Sequence, residues 1–346
     1  MDLAALSIPG SVLDGARYVT AIAHDVQIPE DRFTDIADGV RARLAAGIDD
    51  VDVAFGSAGT LDRDVNLILF ETACNFCFWS ERPENAWKVD VDGTAVGGWY
   101  GLAACFNSGA RGGMPVWDAE WMANLTVERA KQLFAGVRGS IPLIELRVNN
   151  IVEAANFVLR KHHGQVLDLL KVADFSAPRI ATTIVRELPS FRDGAWYGGK
   201  WVWFLKRAQI FPSDLAQLSA RYPDFEVANR DQLTAFADYR LPQVLRHLGA
   251  LEYSSNLAAA VDDGVILPAG SAPEIEIRAC TIEVCERLKS YLPERTSADI
   301  DLGLWLMGQD LRADPTLLPH HRTPGSVIDD LFGYRRPGRV VGERGG

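Results

Sequence analysis

The chain has 346 residues, 48% of them hydrophobic and 23% charged, a balance that belongs to a folded globular protein with a sizeable core rather than to a disordered or fibrous one. Its 35 Lys and Arg face 46 Asp and Glu, a net charge of −11, which disfavours long nucleic acid and leaves a small cationic ligand compatible. Apolar runs stop short of the ~18 residues that a membrane span needs, so no membrane partner is expected.

The N-terminus, "MDLAALSIPGSVLDGARYV", lacks the basic and long apolar regions of a signal peptide. Five cysteines stand at 74, 77, 105, 280 and 285. An odd number without a framework predicts reduced thiols, and hence a soluble cytoplasmic protein. Apolar residues recur at three- and four-residue spacing near 31–46, 61–79, 151–172, 200–220, 229–249, 273–291 and 297–311, predicting a mainly α fold. A small β-hairpin is expected in "AWKVDVDGTAVGGWYG", turning at Asp92-Gly93. We read a single helical domain over 1–325 and a Gly/Arg-rich tail over 326–346, fraying at its end.

Familiar cofactor motifs are missing. Cys74 and Cys77 form a Cys-x-x-Cys with no second pair, which reads as core packing rather than zinc. The His162-His163 and His320-His321 pairs have no metal-site pattern, and "DVDG" lacks the other ligands of a calcium loop. Neither a P-loop nor a Gly-x-Gly-x-x-Gly after a strand occurs. No metal and no cofactor are expected.

Three segments place charge among apolar residues. In "LTAFADYRLPQVL" (233–245), Asn229 and Gln232 resemble a capping box opening a helix through Phe236, and Pro242 fits the first turn of a second helix ended by Gly249. Asp238 then lies in the tight turn between them, either capping the second helix or pairing with Arg240, or held in a pocket to face developing positive charge. In "KWVWFLKRAQI", Lys206 and Arg207 either snorkel from the core or bind a phosphate. In "SADIDLGLWLMGQD", Ser297 can cap a helix on which Asp301 shares a stripe with Leu304, Trp305 and Gly308. Asp301 is then a first-turn acid, or a grip for a cationic amine or base edge.

Blocks along the chain add a resemblance. "NFCFW" (75–79), "GGWYGLAACFNSG" (97–109), "PSFRD" (189–193), "KRAQI" (206–210), "FADYRLPQVLRHLGALEYS" (236–254), "EIEIRA" (274–279), the Asp301–Trp305 segment and "HHR" (320–322) occur in the order found in the queuosine salvage family. The chain resembles these queuosine 5′-phosphate N-glycosylase/hydrolases over about residues 15–325. The resemblance implies a helical fold related to helix-hairpin-helix DNA glycosylases, and cleavage of the N-glycosidic bond of queuosine 5′-monophosphate to release queuine. It makes Asp238 the carboxylate that stabilises or captures an oxocarbenium-like centre and Phe236 a stacking face for the base. Asp301 becomes a base- or amine-binding group, while Lys206, Arg207, Arg240 and His321 become candidates for the 5′-phosphate. Many relatives carry Asp where this chain has Leu306, so Asp310 or Asp301 would substitute there. Glu145 and Arg147 are expected to form a structural ion pair. The competing readings are a non-catalytic queuine or nucleotide binding protein and a DNA-repair-type glycosylase.

Overall fold

Helices dominate residues 3–47 and 58–324, the part of the chain described by a computed structural model. The helices α1 (Gly10–Ile22), α2 (Phe33–Ala45), α3 (Leu61–Ala73) and α4 (Trp99–Arg111) lead into two short ones, α5 (Ala119–Ala123) and α6 (Val127–Leu133). Next come α7 (Ile144–His162), α8 (Val166–Val172), α9 (Ala177–Glu187) and α10 (Lys206–Ala216). The last four are α11 (Arg240–His247), α12 (Ser255–Asp262), α13 (Ala272–Leu288) and α14 (Ser297–Asp310). The tail over 326–346 lies outside the described residues.

Three small antiparallel pairs join them. β1 (Val26–Gln27) pairs with β6 (Glu252–Tyr253), β2 (Val89–Val91) with β3 (Thr94–Val96), and β4 (Gly194–Tyr197) with β5 (Lys200–Trp203). The expected hairpin is β2–β3. Asp92 and Gly93 have φ of 49° and 83°, the positive pair that a twisted two-residue turn demands.

A single apolar cluster runs from Leu6 to Leu304. α3 is buried from Asp64 to Ala73, and α13 along most of its length, as helices in the middle of a core are. α1 packs on α13, α14 on α2 and α11, and α10 on α3 and α9.

The structure corrects several predicted boundaries. The 151–172 span breaks at His163 and Gly164, whose φ values of 51° and 80° end α7. The 200–220 span begins as strand β5 before α10. The helix expected through Phe236 does not form; only a 3₁₀ turn at Arg230–Gln232 precedes an irregular stretch over 233–239. Neighbouring side chains take its backbone donors instead. The Thr234 N–H bonds Gln209 Oε1 at 2.9 Å and the Phe236 N–H bonds Asp301 Oδ2 at 2.6 Å, so tertiary acceptors replace the helical ladder. At α14, Thr296 rather than Ser297 caps the helix, in a reciprocal box with Asp299.

Candidate active site

α10, α11, α14 and the 233–239 stretch enclose a cavity of about 350 Å³. α11 starts at Arg240, two residues after Asp238, with Pro242 in its first turn and Gly249 at φ 80° beyond its end. Asp238 Oδ1 accepts the Arg240 N–H at 2.6 Å, and Oδ2 lies 3.2 Å from Lys206 Nζ. Tyr239 is the N-cap residue of α11, but the Asp238 carboxylate takes the helix's first N–H; its ion partner is Lys206 rather than Arg240, and it lines the cavity. Burial pushes its carboxyl up, but the Lys206 ammonium and the Arg240 N–H outweigh burial and hold it below the usual aspartate range. Asp238 is an ionised carboxylate with one edge in the cavity.

Two other carboxyls on the wall behave oppositely. Asp301 accepts the Phe236 N–H and is pushed up to about 7, chiefly by burial and then by the Asp238 charge. Asp214, on α10, is pushed up to about 8 by burial, with Asp301 adding to it and Lys206 opposing. At neutral pH the lining thus carries a fixed anion, Asp238, and a carboxylic acid, Asp214. Asp214 was not singled out from the sequence. A signal was present, since Lys206, Ile210, Ser213, Asp214 and Gln217 fall on one face of the helical turn and all line the cavity.

Phe236 lines the cavity together with Trp305, Trp99 and Tyr100. These last three are in mutual ring contact, with centroids 5.3–6.1 Å apart. Arg240, Lys88 and Arg312 also reach the wall. None of these three cations forms an ion pair among the described residues. Burial and nearby cations depress two of them: Arg312, Arg138 and Arg240 act on Lys88, and Arg240 acts on Arg312, which falls to about 10, as happens where like charges converge.

The remaining candidates stand elsewhere. Lys206 and Arg207 are neighbours on a helix, so they point in different directions, and neither snorkels. Lys206 turns to the cavity. Arg207, 2% exposed, donates to the Ala73 carbonyl at 2.6 Å and to that of Ser190, between the rings of Phe76 and Phe191. His321 is buried off the cavity wall with neither ring nitrogen partnered. Burial and His320 push its pKa down to about 3, so it carries no charge for a phosphate; His320 lines the cavity instead. Asp310 is exposed and pairs with Arg43 at 2.8 Å, and Leu306 is core. Arg147 does not pair with Glu145, which is exposed. It is fully buried and donates to the carbonyls of Pro142, Cys74, Phe76 and Cys77. Cys74 and Cys77 are core residues whose thiols burial raises to about 12 and about 11.

A protein of Sphaerobacter thermophilus named queuosine 5′-phosphate N-glycosylase/hydrolase is 36% identical over 322 residues, covering 90% of this chain and 96% of that protein. Proteins of the same name from Bos taurus and Mus musculus are 32% and 33% identical, covering 77% and 72% of this chain and 82% and 77% of their own length. The family model described as queuosine salvage protein matches residues 57–326. The chain belongs to the queuosine salvage protein family.

Proposed function

We propose that this chain hydrolyses the N-glycosidic bond of queuosine 5′-monophosphate, releasing queuine and ribose 5-phosphate. The relatives' shared name supports the reaction. The observation that carries the site assignment is Asp238, an ionised carboxylate clamped between Lys206 and the start of α11 with one edge in the cavity. Loss of the base leaves positive charge on the sugar. A preorganised anion in a low-dielectric wall stabilises that charge without reorganising as it develops.

The departing base needs a proton, and Asp214 holds one at neutral pH because its carboxyl titrates at about 8. Bond cleavage passes the electron pair to the base nitrogen, which takes this proton. One water is consumed; its hydroxyl ends on the anomeric carbon and its other proton restores the acid. Phe236 and Trp305 give the base its faces, and Asp301 takes its polar edge. Arg240, Lys88 and Arg312 form the site for the 5′-phosphate, and Arg207, His321 and Asp310 have no part in it.

The relation to helix-hairpin-helix DNA glycosylases belongs to the same reading; the turn and helix from Asp238 to His247 support it, and the segment before the turn is not helical. The charge of −11 suits a small nucleotide rather than long nucleic acid, and five free cysteines suit the cytoplasm. Among the described residues no helix is long and apolar enough to cross a membrane. Purified protein incubated with queuosine 5′-monophosphate should release queuine, read by mass spectrometry. Binding without release would make the protein a carrier.

A further inference from the structure

Behind the cavity wall lies a charged layer that the proposed chemistry does not use. Arg278, on α13 and 5% exposed, donates to Asp193 Oδ2 and Oδ1 at 2.6 and 2.9 Å. Its Nε donates to the Ala237 carbonyl at 3.1 Å, and its plane lies 4.0 Å from the Phe204 ring centre. Glu274, one turn earlier, adds a contact at 3.4 Å. Asp193, 3% exposed, in turn accepts the Lys206 N–H at 3.0 Å. Its own carbonyl accepts the N–H groups of Phe204 and Leu205 at 2.9 and 3.1 Å. Leu205 has φ 55°, a bend that swings the first donor of α10 onto the Asp193 carboxylate.

Ala237 is the residue before Asp238, and Lys206 is the residue whose N–H ends on Asp193. One guanidinium therefore holds both chain segments whose side chains meet at 3.2 Å in the cavity. Neither Asp193 nor Arg278 lines that cavity. We propose that Asp193 and Arg278 are positioning residues that fix the Lys206–Asp238 pair for the reaction. This rests on the reading of Asp238 as the carboxylate facing the sugar. Only a planar fork can grip both oxygens of Asp193 and still reach the Ala237 carbonyl. A lysine keeps the charge and loses the fork.

The test compares wild type with Arg278→Lys, Asp193→Asn and Asp238→Asn. It measures kcat and KM for queuosine 5′-monophosphate, the pH profile of kcat, and queuine affinity by calorimetry. In Arg278→Lys and Asp193→Asn, kcat should fall on the order of 10²-fold, the size expected for a displacement of about 1 Å, with KM and queuine affinity little changed. The acid limb of the profile should move to higher pH in both, because Asp238 loses its aligned lysine. Arg278 itself couples to Asp238, and Arg278→Lys keeps that charge; the other groups facing Asp238, namely Arg240, Tyr239, His320, His321 and Asp301, are untouched, so the shift in Arg278→Lys reports the brace. If kcat drops only in proportion to the folded fraction and the acid limb stays in place, the pair is merely structural and the proposal is overturned. Should Arg278→Lys fail to fold, the isosteric Asp193→Asn decides by the same readings. Full activity in Asp238→Asn would instead overturn the reading of the site itself. An inactive Asp238→Asn beside wild-type kcat in both brace variants overturns the positioning role alone.

Discussion

Lys206 Nζ stands 3.2 Å from one oxygen of Asp238, while the other oxygen accepts the Arg240 N–H at 2.6 Å. The lysine is 10% exposed and the aspartate 22%, so their attraction is screened far less than that of a surface pair. It keeps Asp238 ionised against the burial that would otherwise neutralise it. Lys206→Met should therefore raise the Asp238 pKa. Because the carboxylate acts only above its pKa, the acid limb of the kcat profile should move to higher pH, with kcat down about 10–10²-fold at neutral pH. A pH–rate series on the folded variant checks this.

Asp214 predicts the opposite limb. As an acid titrating at about 8, it delivers a proton below that pH and loses it above. Wild-type kcat should fall as pH rises through about 8. Asp214→Asn should be slower by about 10²-fold and lack that limb. The same substitution should raise the melting temperature. A carboxyl raised in the folded state is ionised only in the unfolded chain between its ordinary pKa and about 8, so it costs stability increasingly over that range. The gain should be larger at pH 8 than at pH 4. Calorimetry at both pH values reads it.

The three converging cations predict a separation of substrates. Arg312→Ala and Lys88→Ala should raise KM for queuosine 5′-monophosphate about 10-fold each, the scale of one charge-assisted contact. They should leave any turnover of the unphosphorylated nucleoside unchanged. Inorganic phosphate should inhibit the wild type and inhibit these variants less.

How much of this was legible in the sequence depends on how local each cause is. The turn at Asp238 could be read because Pro242 and Gly249 bracket α11 with residues whose backbone preferences are intrinsic. The β2–β3 hairpin was legible for the same reason, through Asp92-Gly93. The helix expected through Phe236 failed because its backbone donors go to Gln209 and Asp301, partners 25 and 65 positions away. Arg207 and Lys206 look equivalent in the sequence, yet one helical step separates a core guanidinium from a cavity ammonium. Lys88 and Arg312 come from opposite parts of the chain, and only the fold brings them to Arg240. Asp214 left a trace, a polar stripe on a buried helix, which helical spacing alone could have exposed.

Arg147 predicts a stability effect apart from catalysis. Its guanidinium satisfies four backbone carbonyls, three of them in the Cys74–Cys77 segment, and lies over the rings of Phe76 and Phe78. Arg147→Ala leaves buried acceptors unpaired and opens a cavity. It should cost about 3–5 kcal/mol by urea unfolding, and a loss below about 1 kcal/mol would contradict the placement.

The central claim is that the Asp238 carboxylate drives glycosidic cleavage, and the most direct measurement is single-turnover queuine release from queuosine 5′-monophosphate by wild type and Asp238→Asn. Asparagine keeps the shape, and its oxygen can still accept the Arg240 N–H. The account predicts intact folding and nucleotide binding with release slowed by at least about 10²–10³-fold. Release at the wild-type rate from the folded variant would contradict it.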